Sequence, residues 1–284
     1  FKAVTVAAAL NERQVSLSTV FDCERGSFYY GGRRLRDHHS YHRLSVKEII
    51  TKSSNIGSAK VALRLGSSKL HRYIHQFGFG ERTRISLPGE VRGTVHPLTR
   101  WNKLSITRVP MGHEVAATPI QMAMMASAIA NKGKLMRPML LRQLEDEHGR
   151  VVVKYHSEEV RQVVTPDTAR KVTEALKTVV KPGGTASRAA LEYYSVAGKT
   201  GTAQKAGRGG YIPGKYYSAF VGFFPADRPA LCIYVALDEP TGDYYGGLTA
   251  APVFKAIGER AASYLGIKPN LAAQGSIASR SERR

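Results

Sequence analysis

The sequence has 284 residues and a formal net charge of +20, because 42 lysines and arginines outnumber 22 aspartates and glutamates. A chain of this length forms one large domain or two small ones, and 43% hydrophobic residues supply a sizeable core. The two cysteines, Cys23 and Cys232, give neither a disulfide framework nor a metal-binding spacing. No apolar stretch reaches the roughly 20 residues of a membrane-spanning helix. The positive charge favours an anionic partner without choosing among nucleic acid, lipid headgroups and acidic polymers.

Helix signals dominate the first half of the sequence. Residues 1–4 are typical of the middle of a helix, which predicts a fragment that lacks its N-terminal part, including any membrane anchor. Ser45 and Glu48 match a capping box at a helix start, and residues 52–55 interrupt that helix. A second helix is predicted from about residue 56 to 65, with Gly66 as its stop. A third is predicted by an apolar stripe formed by Leu70, Tyr73, Ile74 and Phe77. Thr118, Pro119 and Gln121 mark a further start, for a helix ending at 131–133.

The second half is richer in strands. Residues 139–144 and 151–155 are predicted to form a hairpin, and residues 195–203, 218–224 and 231–237 read as three further strands. Helices are predicted from Thr165 and over 252–265. This order predicts an α+β fold, with an antiparallel sheet covered by the N- and C-terminal helices and a mainly helical lobe. We expect one domain over 1–266, with a helical lobe at about 15–133, an α/β lobe at about 1–14 and 134–266, and a disordered tail at 267–284.

Two short motifs stand out. Ser53, Ser54 and Asn55 lie at the predicted break between two helices. The other motif lies within a predicted strand and consists of Lys199, Thr200, Gly201 and Thr202. Each alone is weak, since serines at a helix break also act as caps and a strand glycine also marks a bulge.

Taken together and in this order, the motifs resemble those of the penicillin-recognising serine enzymes, whose signature is S-x-x-K, then S-x-N, then K-T-G. Lys2 stands where the lysine of the first motif would be, so the motif serine would lie two residues before Phe1, outside the sequence. Further stretches resemble class B penicillin-binding proteins, and the last three of them resemble the division-specific branch. These stretches are residues 52–57, 77–80, 197–205, 220–225, 238–240, 244–247 and 250–254. The resemblance covers about residues 1–266.

This resemblance implies a D,D-transpeptidase with a penicillin-binding/β-lactamase-like fold, acting on stem peptides that end in D-Ala-D-Ala through a serine acyl-enzyme. Lys2 would be the general base, and Lys199 a second cation that lowers the pKa of Lys2. Ser53 would relay a proton and Asn55 would grip the substrate backbone. The carboxylate of the substrate would bind Lys199, Thr200 and Thr202.

The strand that carries Gly201 would accept the peptide along its edge, and the backbone N–H of Thr202 would form half of the oxyanion hole. The resemblance implies no cofactor, no metal and no nucleic acid. The expected partners are peptidoglycan stem peptides, β-lactam antibiotics and division-complex proteins. The expected location is the bacterial inner membrane, reached through the missing N-terminal anchor, with the catalytic domain on the periplasmic side. The sequence as it stands is predicted to be inactive, because it lacks the nucleophile.

Other readings of the same residues remain open. A phosphate-binding loop at Gly198 would need a glycine where Tyr193 stands. A metal site is disfavoured because His38, His39 and His42 have no neighbouring cysteine or H-E-x-x-H frame. A β-lactamase or a β-lactam sensor would share the fold. The rival from another class is a nucleic-acid-binding module, and the residues that suggest it are Arg33, Arg34, Arg36, Tyr29, Tyr30 and Tyr41.

Overall fold

The structure is a computed structural model, which describes residues 1–207 and 210–272. The chain forms two compact units, Phe1–Ala175 and a second unit that starts at Leu176. The predicted division into a helical lobe and an α/β lobe placed the boundaries elsewhere and stays a prediction.

Helices are the most abundant regular elements of the first unit. They are α1 (Lys2–Asn11), α2 (Val46–Lys52), α3 (Asn55–Leu65), α4 (Ser67–Gln76), α5 (Ser105–Arg108), α6 (Pro119–Ala130) and α7 (Pro166–Lys177), and the last two residues of α7 lie past the unit boundary. Helix α1 is the centre of the core, since Val4 and Val6 are fully buried and the helix packs against α3 and α4. Its alanines favour helix formation and let neighbouring helices approach closely.

Both predicted capping boxes are present. The Ser45 hydroxyl accepts the Glu48 N–H at 3.2 Å, and the Glu48 carboxylate accepts the Ser45 N–H at 2.8 Å. Thr118 and Gln121 make the same reciprocal pair at the start of α6. The break before α3 and its stop at Gly66 are confirmed, with the helix starting one residue earlier than predicted.

Short antiparallel strand pairs complete the first unit: β1 (Val20–Asp22) with β4 (Arg43–Ser45), β2 (Ser27–Tyr30) with β3 (Arg33–Arg36), β5 (Thr94–Val95) with β6 (Val115–Ala116), β7 (Lys134–Met136) with β10 (Glu159–Gln162), and β8 (Gln143–Glu145) with β9 (Val151–Lys154). The predicted hairpin over 139–155 is therefore present, but its first strand was predicted too long. Strand β9 has only four residues, so the chain before Arg142 has no partner in that ladder.

The second unit is built on a three-stranded antiparallel sheet. Its strands are β11 (Ala197–Gly207), β12 (Gly210–Phe224) and β13 (Leu231–Asp238), in that order. They match the three predicted strands, although β11 starts later and ends later than predicted and β12 starts earlier. Helix α8 (Ala250–Tyr264) covers the sheet, and its Phe254 ring lies 4.8 Å from the ring of Phe220, centroid to centroid. It begins two residues before the predicted start, because a proline in the first turn lacks only an N–H that has no helical partner there.

Ordered chain extends past the predicted start of the tail at residue 267. Asn270 and Leu271 donate their backbone N–H groups to the Tyr193 carbonyl, and the Asn270 side chain accepts the Ser195 N–H at 2.9 Å. The rest of the predicted tail, residues 273–284, lies outside the described residues. Within the described ranges, none of the helices combines the length and hydropathy that crossing a bilayer requires.

Candidate active site

The predicted Ser-Ser-Asn break is a sharp turn between α2 and α3. Ser53 ends α2 in the left-handed conformation, with φ 58° and ψ 36°, a region that costs an L-residue roughly 1–2 kcal/mol. The Ser54 N–H continues the turn by bonding to the Ile49 carbonyl at 3.1 Å. Close packing of the two helices makes Gly57 necessary, since a Cβ there would lie 2.5 Å from the Ile49 side chain.

Asp37 fixes the far side of this turn. Its carboxylate accepts the Ser54 hydroxyl at 2.6 Å and the Ile56 N–H at 3.1 Å, and it also accepts the Asn55 N–H. The Ser54 hydroxyl in turn accepts the Gly57 N–H at 2.9 Å. A carboxylate at the positive end of the α3 dipole is favourable, so Asp37 and Ser54 together satisfy the first N–H groups of the helix.

The Asn55 side chain is held from the neighbouring strand. Its amide NH₂ donates to the Arg36 carbonyl at 3.0 Å. An amide carries two donor hydrogens and one acceptor oxygen, so this bond fixes the orientation of the group and leaves its oxygen for a donor such as a peptide N–H. The arrangement suits the predicted role of Asn55 in holding a substrate backbone.

Lys2 lies in the first turn of α1 and is partly buried. Burial lowers the pKa of its ammonium from 10.5 to about 8, and the negative charge of Asp37 partly opposes this shift. His113 lies close enough for its own pKa to be lowered, by burial first and then by the charges of Lys2 and Arg108. The environment of Lys2 thus moves the lysine toward the neutral form that a general base requires.

Asp37 and His113 are the groups that motif analysis missed. Asp37 is the one acid in the basic stretch 33–43, and that isolation is the signal that could have drawn attention to it. Nothing in the local sequence singles out His113, because its relation to Lys2 arises from the packing of α1 on the 3₁₀ turn Val109–Met111.

The second predicted motif lies on β11. The Lys199 side chain is buried, and its ammonium donates to the carbonyl oxygen and the hydroxyl of Thr200 at 3.3 and 3.2 Å. The Thr200 hydroxyl also lies 3.0 Å from that of Thr185. Gly201 and Thr202 are exposed, and in the described sheet β11 pairs on one side only, with β12. The strand therefore presents an edge along which an extended peptide could add.

A glycine pair supports this strand from the loop before α8. The Gly246 N–H donates to the Thr202 hydroxyl at 3.1 Å. A Cβ on Gly246 would lie 2.2 Å from the Ala219 carbonyl, and one on Gly247 would lie 2.0 Å from the Thr185 carbonyl. The loop thus reaches the strand only because both positions lack a side chain. Because the Thr202 hydroxyl is the acceptor in its bond with Gly246, it can still donate its own proton to a ligand.

The structure brings Lys2, Asp37 and the 53–55 turn together in the first unit, and Lys199, Thr200, Gly201 and Thr202 along one strand in the second. Convergence of the two groups on one groove stays a prediction. Because Gly198 and Lys199 lie within a strand, they do not form the loop before a helix that a phosphate-binding motif needs. The described residues hold no cluster of three metal-ligating side chains, and this applies to the His38 segment too.

The lysine with a lowered pKa and the Ser-Ser-Asn turn lie in the first unit, and the Lys-Thr-Gly edge strand lies in the second. These three motifs, in this order, match the signature of the penicillin-recognising serine enzymes. The chain belongs to the family described as the penicillin binding protein transpeptidase domain, whose model matches residues 1–259. This result confirms the resemblance and the predicted fold class.

Relatives in the family are similar over nearly the whole chain. Stage V sporulation protein D of Bacillus subtilis is 37% identical over 273 residues, which are 95% of this chain and 42% of the relative. The probable peptidoglycan D,D-transpeptidase PenA of Neisseria flavescens is 31% identical over 94% of this chain and 64% of its own length. The chain thus spans about two fifths to two thirds of these relatives.

Solved structures agree with this assignment. The transpeptidase domain of Burkholderia pseudomallei penicillin-binding protein 3 matches with a TM-score of 0.87 and 32% identity, covering 95% of this chain and 80% of that one. Penicillin-binding protein 3 of Mycobacterium tuberculosis in complex with ampicillin matches with a TM-score of 0.88 and 29% identity, covering 97% and 63%.

Proposed function

We propose that this chain is the catalytic domain of a peptidoglycan D,D-transpeptidase, which cross-links stem peptides through a serine acyl-enzyme. The observation that carries the proposal is Lys2, an amine with a pKa of about 8 on the first turn of a buried helix. A serine three residues before it would share the helix face and place its hydroxyl beside the amine.

The pKa of Lys2 suits a general base at neutral pH. With a pKa of about 8, roughly one tenth of the amines are neutral at pH 7, whereas an ordinary lysine would be neutral in fewer than about one in a thousand molecules. Neutral Lys2 would take the serine proton as the hydroxyl attacks the carbonyl of the penultimate D-alanine. The proton would then pass, with Ser53 as relay, to the amine of the departing D-alanine.

The remaining roles fall to the turn and the strand. The Asn55 oxygen would accept an N–H of the substrate. An extended stem peptide would add along the edge of β11 at Gly201, with its terminal carboxylate bound by Lys199 and the hydroxyls of Thr200 and Thr202. The backbone N–H of Thr202, with that of the serine, would stabilise the oxyanion, where each such donor contributes about 10²–10³ in rate.

The cellular setting belongs to the same proposal. The relatives include the peptidoglycan D,D-transpeptidase FtsI of Buchnera aphidicola and the sporulation protein, which supports a role in building septal wall. We propose a membrane anchor N-terminal to these residues, a catalytic domain on the outer side of the cytoplasmic membrane, and division-complex partners. The ampicillin-bound relative supports β-lactams as inhibitors that trap the serine.

Covalent labelling tests the proposal. A form of the protein with serine two positions before Phe1 should acquire fluorescent penicillin as a stable adduct, and the 284-residue chain itself should not. Absence of label on the serine-bearing form would end the proposal, as would a label on the shorter chain, because it would reveal another nucleophile. Rapid hydrolysis of nitrocefin by the serine-bearing form, without a lasting adduct, would instead indicate that the protein is a β-lactamase.

A further inference from the structure

The β2–β3 hairpin and its flanks carry a concentration of unneutralised positive charge. The stretch from residue 25 to 43 holds five arginines, all exposed, namely Arg25, Arg33, Arg34, Arg36 and Arg43. Across residues 1–207 and 210–272, none of the ion pairs includes any of these five. Arginines elsewhere, such as Arg72, Arg137 and Arg161, do pair with glutamates. The five charges are therefore available to an anionic partner.

The hairpin has two different faces. Residues that pair across the strands share a face, and side chains alternate along each strand. One face carries Phe28, Tyr30 and Leu35, which are partly buried, and the Lys60 ammonium of α3 lies 4.7 Å from the centre of the Phe28 ring. This inner face is packed against α3.

The outer face of the hairpin is exposed. Tyr29 pairs with Arg34 and Ser27 pairs with Arg36, so the two arginines stand two positions apart on one face beside an exposed tyrosine. Both guanidinium groups can form two parallel hydrogen bonds to a carboxylate. The face thus has the donors and the spacing to bind an extended chain that bears more than one carboxylate.

The outer face is joined directly to the candidate catalytic turn. The Arg36 carbonyl accepts the Asn55 side chain at 3.0 Å, and the next residue, Asp37, caps α3. A molecule bound on the hairpin is therefore held next to Asn55. Among anionic partners this favours the substrate of the site over duplex DNA or a lipid surface, since neither of these has reason to be held at a peptide-binding amide.

We propose that the outer face, formed by Tyr29, Arg34 and Arg36, binds the free carboxylates of a peptidoglycan stem peptide and guides the peptide to Asn55. This proposal rests on the proposed function. It assigns the hairpin a binding role separate from acylation, because a small β-lactam reaches the serine without a stem peptide.

A sedimentation assay with insoluble, teichoic-acid-free peptidoglycan tests the proposal. At low salt we expect the affinity for peptidoglycan to fall about threefold in R34Q and about tenfold in R34Q/R36Q. At high salt the affinity of wild type should fall to nearly that of the double variant, because salt screens the charges. The matched control is R33Q, which removes the same charge from the neighbouring residue, on the inner face opposite Tyr30. It should change binding less than twofold. Thermal unfolding of each variant checks that the hairpin is folded.

A chemically altered probe identifies the ligand group. Peptidoglycan whose stem carboxyls have been converted to amides should bind wild type as weakly as native peptidoglycan binds R34Q/R36Q. Equal loss in R33Q and R34Q, undiminished binding to the amidated polymer, or tighter binding to duplex DNA at equal salt would each overturn the proposal. Penicillin labelling of the serine-bearing wild type is measured alongside, so failure of the transpeptidase proposal is seen separately from failure of this one.

Discussion

Asp37 connects the two parts of the candidate site that lie in the first unit. It receives hydrogen bonds from the 54–56 segment and its charge raises the pKa of Lys2 against the effect of burial. Replacing Asp37 by asparagine removes the charge and leaves one acceptor oxygen for three donors. We expect D37N to lower the free energy of unfolding by about 1–3 kcal/mol, as measured by urea titration.

The pH dependence of acylation in D37N shows whether Asp37 acts on Lys2 or only stabilises the fold. Without the negative charge the protonated form of Lys2 is less favourable, so the pKa of Lys2 should fall below about 8. In the serine-bearing form, the rate of penicillin acylation should then rise with pH at a lower midpoint than in wild type. D22N is the control, because Asp22 is exposed and its carboxylate accepts the Glu24 N–H, away from the 54–56 segment. An unmoved midpoint in D37N would mean that the carboxylate does not act on Lys2.

At the scale of single residues, the sequence predicts site residues that are close together along the chain and misses those that are brought together only by folding. Ser53, Asn55 and Lys199 are recognisable because each belongs to a motif of contiguous residues. Asp37 acts on residues 17 to 19 positions away, and that contact exists only once the hairpin has packed on α3. Likewise, the bond from Asn55 to the Arg36 carbonyl involves a backbone atom, which no residue type can reveal.

Elements were predictable where their signals are local. Capping boxes at Ser45 and Thr118 depend on residues three apart, and both were correctly predicted. Strand lengths were not, because the length of a strand depends on its partner: β11 and β12 pair well beyond their apolar cores, whereas the four residues of β9 limit β8.

Two glycines of β11, Gly198 and Gly201, have different surroundings, and replacing each by alanine tests the proposed role of the strand edge. A Cβ on Gly201 would meet nothing closer than the Ala219 Cβ at 3.6 Å, an ordinary contact. We therefore expect G201A to change the free energy of unfolding by less than about 0.5 kcal/mol. Its methyl group would stand where the substrate backbone must approach the strand edge, so penicillin acylation of the serine-bearing form should slow roughly 10- to 100-fold.

G198A is the contrasting variant on the same strand. Its Cβ would lie 2.4 Å from the Phe220 ring and 2.7 Å from the Val221 carbonyl, and such overpacking costs about 1–3 kcal/mol of stability. Urea unfolding and stopped-flow acylation of both variants make the comparison. If G201A acylates at the wild-type rate, the edge of β11 is not the place where substrate lies.

At the scale of the whole molecule, Lys2 should make global stability depend on pH. The folded state holds its pKa near 8, whereas the unfolded chain returns it to 10.5. Below pH 8 both states are protonated and the folded state bears the cost of burying the charge. Between pH 8 and 10.5 the unfolded state binds more protons, so the contribution of Lys2 to stability rises with pH by up to about 3 kcal/mol.

Replacing Lys2 by methionine removes this cost at every pH. K2M should have a higher free energy of unfolding than wild type at pH 7. Most of this gap, the difference in free energy of unfolding between the two proteins, should close by pH 10, where Lys2 of folded wild type is neutral. The gap between the two proteins is the informative quantity, because Cys23 and Tyr73, whose pKa values are raised by burial, affect both curves alike. K47M, at an exposed lysine of α2, is the matched control for replacing a lysine by methionine. A pH-independent gap for K2M would mean that Lys2 keeps an ordinary pKa in the folded protein, and it could not then serve as the base that the proposed reaction requires.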